Sequence, residues 1–183
     1  MSELALLTDL KNKKIALIGN AKSIFNSHKD IDQYDIIIRM NKGFPRGAKD
    51  SLGSRTDILA LSLNLDKETI QKEYDPKFII WCTPENREFV NHDWLKFLTI
   101  FYPMENWNVL NETLKSRPST GCMMIDFLYN YIDFAELHLY GFDFWETPNW
   151  YTNTIHIDKH DPEAEQFYVN ELVKNNERII YHE

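Results

Sequence analysis

The chain is short of cysteine, glycine and positive charge, and each shortage excludes something. Two cysteines in 183 residues, Cys82 and Cys122, cannot build a disulfide framework. Their spacing fits no zinc template, and both read as buried small hydrophobes. The six glycines form neither G-x-G-x-x-G nor G-x-x-x-x-G-K-[ST], which removes a standard dinucleotide turn and a P-loop. Twenty Lys and Arg against 28 Asp and Glu leave a net charge of −8. That balance argues against a nucleic-acid binder, whose affinity comes from a basic surface, while allowing a local pocket for one phosphate. No apolar run exceeds strand length, and the opening MSELALLTDLKNKK is too acidic, and its apolar part too short, for a signal peptide or membrane anchor. The expectation is a reduced, cytoplasmic protein with no transmembrane segment, peripheral to a membrane at most. Metal chemistry is not expected either. The acids are scattered, and His28, His92, His138 and His182 lack ligand spacing; His138 reads as a core residue of a strand.

What is present is a folded α/β pattern. Hydrophobic residues make up 43% and aromatics 14%, ample for one core, and no linker or repeat divides residues 1–183. Strands are predicted at Lys14–Ile18, Asp35–Arg39, Asp57–Leu61, Lys77–Trp81, Leu98–Tyr102, Glu136–Tyr140 and Arg178–Tyr181. Their runs (IALI, IIIR, FIIW, LHLY, RIIY) are apolar at successive positions, as strands covered on both faces require. Helices are predicted at Ala21–Ser27, Leu65–Lys72, Asn91–Lys96, Thr120–Ile132 and Pro162–Asn175. The alternation predicts a single Rossmann-like domain, a mostly parallel sheet flanked by helices.

Two strand ends carry asparagine: Gly19-Asn20-Ala21 follows the first strand and Arg39-Met40-Asn41 closes the second. Each reads as a capped βα turn or as an amide placed to contact a nucleotide, because ligands of such sheets bind outside the carboxyl ends of the strands. Ser119-Thr120-Gly121 precedes a periodic helical segment, so Ser119 or Thr120 is an N-cap, at a helix start where N–H groups can hold an anion. His160 stands just before the last helix, which Asp161-Pro162-Glu163 opens. It is either structural or a general base, and Glu165 either serves the helix terminus or the site. Trp145, Trp150 and Tyr151 line an acceptor or lid surface, or pack in the core.

Taken in order, these segments resemble the sialyltransferases that use CMP-sialic acid, a family that includes the vertebrate Golgi enzymes. Gly19-Asn20-Ala21, Arg39-Met40-Asn41 and Gly53-Ser54-Arg55-Thr56 match its large motif. Pro118-Ser119-Thr120-Gly121 and Tyr140-Gly141-Phe142 match its small motif, and His160 with Glu165 matches its very small motif. The chain resembles a short soluble microbial or viral member with a GT-A-like fold. The family's disulfide between large and small motifs has no counterpart, because Ile15 occupies the large-motif position. Its adjacent His/Tyr pair is also missing from FWETPNWYTNTIHID, where His156 and Tyr151 are the candidates to meet the donor phosphate.

The resemblance implies a metal-independent, cofactor-free transferase moving sialic acid from CMP-sialic acid to a glycan hydroxyl with inversion. His160 would be the base, with Glu165 and His156 in support. The CMP donor would meet Asn20, Ala21, Asn41, Ser119, Thr120, Gly121, Gly141, Phe142 and Tyr151. Short loops imply a compact acceptor site or one completed by a second subunit, and decoration of lipooligosaccharide or capsule is the expected role. Three rivals remain open: transfer of another CMP-linked acid of the Kdo type, hydrolysis of a CMP donor, and a non-catalytic cytidine-nucleotide binding module.

Overall fold

The computed structural model describes residues 3–26, 30–44, 52–85, 87, 90 and 98–182. Among these residues seven strands form one sheet: β1 (Lys14–Ile18), β2 (Ile36–Met40), β3 (Ile58–Leu61), β4 (Phe78–Trp81), β5 (Leu98–Phe101), β6 (Glu136–Tyr140) and β7 (Ile179–His182). Each lies within a residue or two of its expected position. The order is β5-β4-β3-β2-β1-β6-β7 and every pairing is parallel. The chain winds outward from β1 to β5, then returns to place β6 against the free side of β1. That reversal makes the β1/β6 boundary the topological switch point, where open α/β sheets hold their ligands.

Alternate residues explain the layers. Ile15, Leu17, Ile36, Ile38, Leu137 and Leu139 point to one face, where they meet α1 (Glu3–Leu10), α3 (Met104–Leu114), α4 (Thr120–Tyr131) and α5 (Pro162–Asn175). The intervening Leu59, Leu61, Ile79 and Trp81 bury against Ile70 of α2 (Lys67–Glu73), and Ala16, Ile18 and Ile37 against Ile24, Ile31 and Tyr34. Both faces are therefore dry, which is why these strands read as unbroken apolar runs.

The helices depart further from expectation. α1 and α3 were not foreseen; each buries a pair four residues apart, Leu6 with Leu10 and Leu110 with Leu114. Ala21–Ser27 is not an α-helix: residues Lys22–Asn26 form a 3₁₀ turn, and residue 27 lies outside the described residues. The helix expected at Asn91–Lys96 lies outside them too, as do His28 and His92. No helix among the described residues is long and apolar enough to cross a membrane. Both cysteines are buried and free.

A cavity at the switch point

The carboxyl ends of β1 and β6 approach so closely that both need glycine. A Cβ on Gly19 would fall 2.2 Å from the carbonyl oxygen of Gly141. Gly141 itself has φ +66°, a left-handed conformation that side chains resist. Gly19 N–H donates to the Tyr140 carbonyl at 2.6 Å and Ala21 N–H to Gly141 at 3.2 Å. Beyond this seam opens a cavity of about 220 Å³.

All the residues expected at the base and in the donor site line that cavity. Asn20 and Ala21 come from the β1 end, Asn41 from the β2 end, and Gly141 and Phe142 from the β6 end. Ser119, Thr120 and Gly121 supply the first turn of α4. Tyr151, His156 and His160 arrive on the long segment before α5, and Glu165 on α5 itself. Trp145 lines it as well. Trp150 does not: it packs with Phe25 against the cluster under β1 and β2, which decides for core packing over a lid.

Each polar group has a physical assignment. Asn41, at φ +51°, uses its side chain to tie three elements together. Its Nδ2 donates to Thr120 Oγ1 at 3.1 Å, and its Oδ1 accepts from Ser62 N–H at 2.9 Å. Its carbonyl takes the Tyr74 hydroxyl at 2.6 Å. Asn20 Nδ2 donates to the Met40 carbonyl at 3.3 Å. Ser119 is the N-cap of α4: its Oγ accepts from Cys122 N–H at 3.1 Å. The N–H groups of Thr120 and Gly121 have no partner among the described residues; both residues line the cavity and open a twelve-residue helix. Such a terminus favours an anion. Gly121 is small for a reason: a Cβ there would sit 2.7 Å from Phe142 Cε1, so the phenyl ring rests on the helix's first turn.

Glu165 is 2% exposed and answers Ser119 twice, accepting its N–H at 2.7 Å and its O–H at 2.6 Å. Burial pushes its carboxyl up to about 7, against the opposing pull of those two bonds. The hydroxyl of Ser119 is thus spent inside the protein, and Glu165 couples α5 to the start of α4. His160 Nδ1 lies 2.7 Å from the carbonyl oxygen of Arg117. A carbonyl only accepts, so Nδ1 carries the proton and Nε2 is left with its lone pair. Burial, which outweighs the Arg117 hydrogen bond, lowers the imidazole's pKa and favours this neutral form. Glu165 Oε1 is 3.9 Å from Nδ1, too far for a hydrogen bond.

On the outer arm, His156 is exposed, with Nε2 2.7 Å from Thr154 Oγ1. The Tyr151 phenol is kept protonated by burial, which raises its pKa. Reading the sequence missed Asp143 and Thr147, both of which line the cavity. Asp143 Oδ2 accepts the N–H and the O–H of Thr147, while Oδ1 is buried without a partner among the described residues. Their spacing of four fits a turn, but nothing local distinguished it from a loop. Among the described residues no group of His, Cys, Asp and Glu is arranged to hold a metal ion.

Residues 3–80 match the family model for glycosyltransferase family 29, the sialyltransferases. A curated relative, the CMP-N-acetylneuraminate-beta-galactosamide-alpha-2,3-sialyltransferase 1 of Sus scrofa, is 25% identical over 179 residues. That alignment takes in 85% of this chain and 50% of the relative, so the chain spans about half the relative's length. Two solved structures share the fold. A mammalian sialyltransferase in complex with Gal-beta-1-3GalNAc-ortho-nitrophenol superposes with a TM-score of 0.62 at 20% identity, over 93% of this chain and 69% of that one. The sialyltransferase CstII from Campylobacter jejuni, in complex with cytidine-5'-monophosphate, gives 0.61 at 16% identity, over 93% and 80%. The Rossmann-like, GT-A-like architecture is therefore that of sialyltransferases.

Proposed function

We propose that the chain is an inverting transferase that moves sialic acid from CMP-sialic acid to a glycan hydroxyl. One observation carries the reading: among the described residues a histidine with a bare Nε2 stands at the same switch-point cavity as a helix start whose first two N–H groups have no partner. The first is a base and the second an anion site, the two things that displacement from an anionic donor needs. The family-model match of residues 3–80 and the likeness to a CMP-bound sialyltransferase support the donor class.

The cytidine nucleotide would lie over the β1/β6 seam, against Gly19, Asn20, Ala21, Gly141 and Phe142. A donor carboxylate or phosphate would face the N–H groups of Thr120 and Gly121, with Asn41 holding Thr120 in place. His160 Nε2 would take the proton of the acceptor hydroxyl as its oxygen bonds to the anomeric carbon. The bond from that carbon to the phosphate oxygen breaks, and CMP leaves with the electron pair. Tyr151 as a neutral donor and His156 would meet the charge gathering on the phosphate, so no metal is required. The remaining expectations, one catalytic domain within 1–183 acting in the cytoplasm on lipooligosaccharide or capsule, belong to the same reading.

The test incubates purified protein with CMP-sialic acid and a panel of galactosides in the presence of EDTA, following CMP release and glycan mass. Sialylated product of inverted anomeric configuration supports the proposal. CMP release with no product points to hydrolysis. CMP binding without release points to another CMP-linked acid or a binding module.

A further inference from the structure

The transfer scheme gives no task to Trp145, yet this residue is held at some cost. Phe144 has φ +49° and Trp145 φ +68°, consecutive left-handed positions without glycine, each costing about 1–3 kcal/mol and persisting only where surroundings impose them. The surroundings do so. Phe144 stacks on Tyr181 with centroids 6.4 Å apart, and Glu146 N–H and Thr147 fold back onto Asp143. This tight turn aims the indole at the opposite arm of the same segment. There its Nε1–H donates to the His156 carbonyl at 2.8 Å, and its ring lies over the His160 imidazole, centroids 5.4 Å apart and planes inclined at 27°. His160 is thus gripped at an edge by the Arg117 carbonyl and on a face by Trp145.

We propose that Trp145 is the positioning residue for His160, fixing the ring plane in which the unprotonated Nε2 is presented to the cavity. The inference rests on the reading of His160 as the base. Without the indole the imidazole could turn about its single hydrogen bond, and a base displaced by an ångström loses most of its advantage. The same contact excludes water from one face of the ring. Cation–π attraction to an imidazolium, about 0.5–1 kcal/mol at partly exposed sites, works the other way, but burial is the leading influence on His160. The charged groups around the ring are Glu165 from α5, Arg117 from the segment before α4, and Asp158 on its own segment; none changes when Trp145 is replaced.

The experiment compares wild type, Trp145→Ala and Trp145→Phe, with Trp145→Leu as a bulky non-aromatic control should the alanine variant not fold. Imidazole ¹⁵N NMR of the free protein reads the tautomer and titration midpoint of His160 without needing turnover. Steady-state kinetics read kcat and the donor KM. Loss of the ring should weaken the Nδ1–H tautomer, raise the midpoint toward the ordinary value of about 6.5, and lower kcat about tenfold or more with donor KM within about twofold. Phenylalanine should restore most of each, since it rebuilds the face without the indole N–H. The proposal is overturned if folded Trp145→Ala keeps the wild-type tautomer, midpoint and kcat. It is equally overturned if KM rises while kcat holds, because the indole would then be a donor contact. If wild type itself transfers nothing from any CMP-linked sugar, the transferase reading fails, and the NMR still decides whether Trp145 sets the imidazole.

Discussion

His138 and His160 are both partly buried imidazoles stacked on aromatic rings, and they are wired in opposite ways. His138 sits in the middle of β6, with Nδ1 3.0 Å from the Tyr34 hydroxyl and 2.8 Å from His182 Nε2, and Nε2 3.1 Å from Glu136 Oε2. Tyr34 extends the chain to Tyr140 at 2.6 Å, and Glu136 to Lys14 at 3.0 Å. Both nitrogens are spoken for, so taking a substrate's proton would break a bond. His160 lies beyond the strand ends in the cavity lining, uses one nitrogen on a carbonyl and leaves the other without a partner among the described residues. Residue type and burial alone do not separate the two. The vacancy of one nitrogen, on a ring that lines a cavity, does.

The largest test of that contrast is His160→Ala. It should lower transfer by about 10²–10⁴, the usual worth of general-base help, with donor affinity and melting temperature close to wild type. Comparable rates in a stopped assay of both proteins would remove His160 from the chemistry.

Next comes Glu165, whose carboxyl holds its proton to about pH 7 in the fold, whereas an unfolded chain releases it near 4.3. Between those values the unfolded state binds fewer protons, so stability should fall as pH rises, by up to about 4 kcal/mol. Glu165→Gln keeps an acceptor for Ser119 N–H and should flatten that slope in urea titrations run across the window. The shift at His160 has the opposite sign. Its lowered pKa keeps the base neutral below the ordinary 6.5, so the acid limb of kcat/KM should lie below that pH and survive Glu165→Gln.

His138→Ala should cost about 1–3 kcal/mol, the usual penalty for stranding buried partners, while the transfer rate stays within about twofold. A collapse of rate in a variant that still melts cooperatively would erase the distinction between the clusters. The smallest effect is expected at Gly121→Ala. The added methyl meets only the far edge of the Phe142 ring, so the ring should tilt, donor KM should rise a few-fold and the melt should barely move.

Much of the fold was legible because both faces of the sheet are covered: IALI and IIIR could be little else than buried parallel strands. α1 and α3 escaped because each commits only a few apolar positions. MENWNVLNETL buries Leu110 and Leu114 among polar neighbours, and α1 buries Leu6 and Leu10 with Leu7 packed partly beside them. The cavity's membership was legible from strand ends and helix starts, where the topology must gather it. Its wiring was not. Glu165 reaches Ser119 across 46 positions and His160 reaches Arg117 across 43, contacts that no local pattern encodes. Asn41 lines the cavity and also ties its amide to Thr120 and Ser62, a brace that only the packing of β2, β3 and α4 reveals.

We propose that the switch-point cavity is a cytidine-nucleotide donor site and that the His138 cluster is not. The most direct measurement titrates CMP into ¹⁵N-labelled protein and follows the amide resonances. Saturable shifts are expected at Gly19, Ala21, Thr120, Gly121, Gly141 and Phe142, with His138 and His182 still. Shifts centred on β6 and β7 around His138, or none at the cavity with saturating nucleotide, would contradict it.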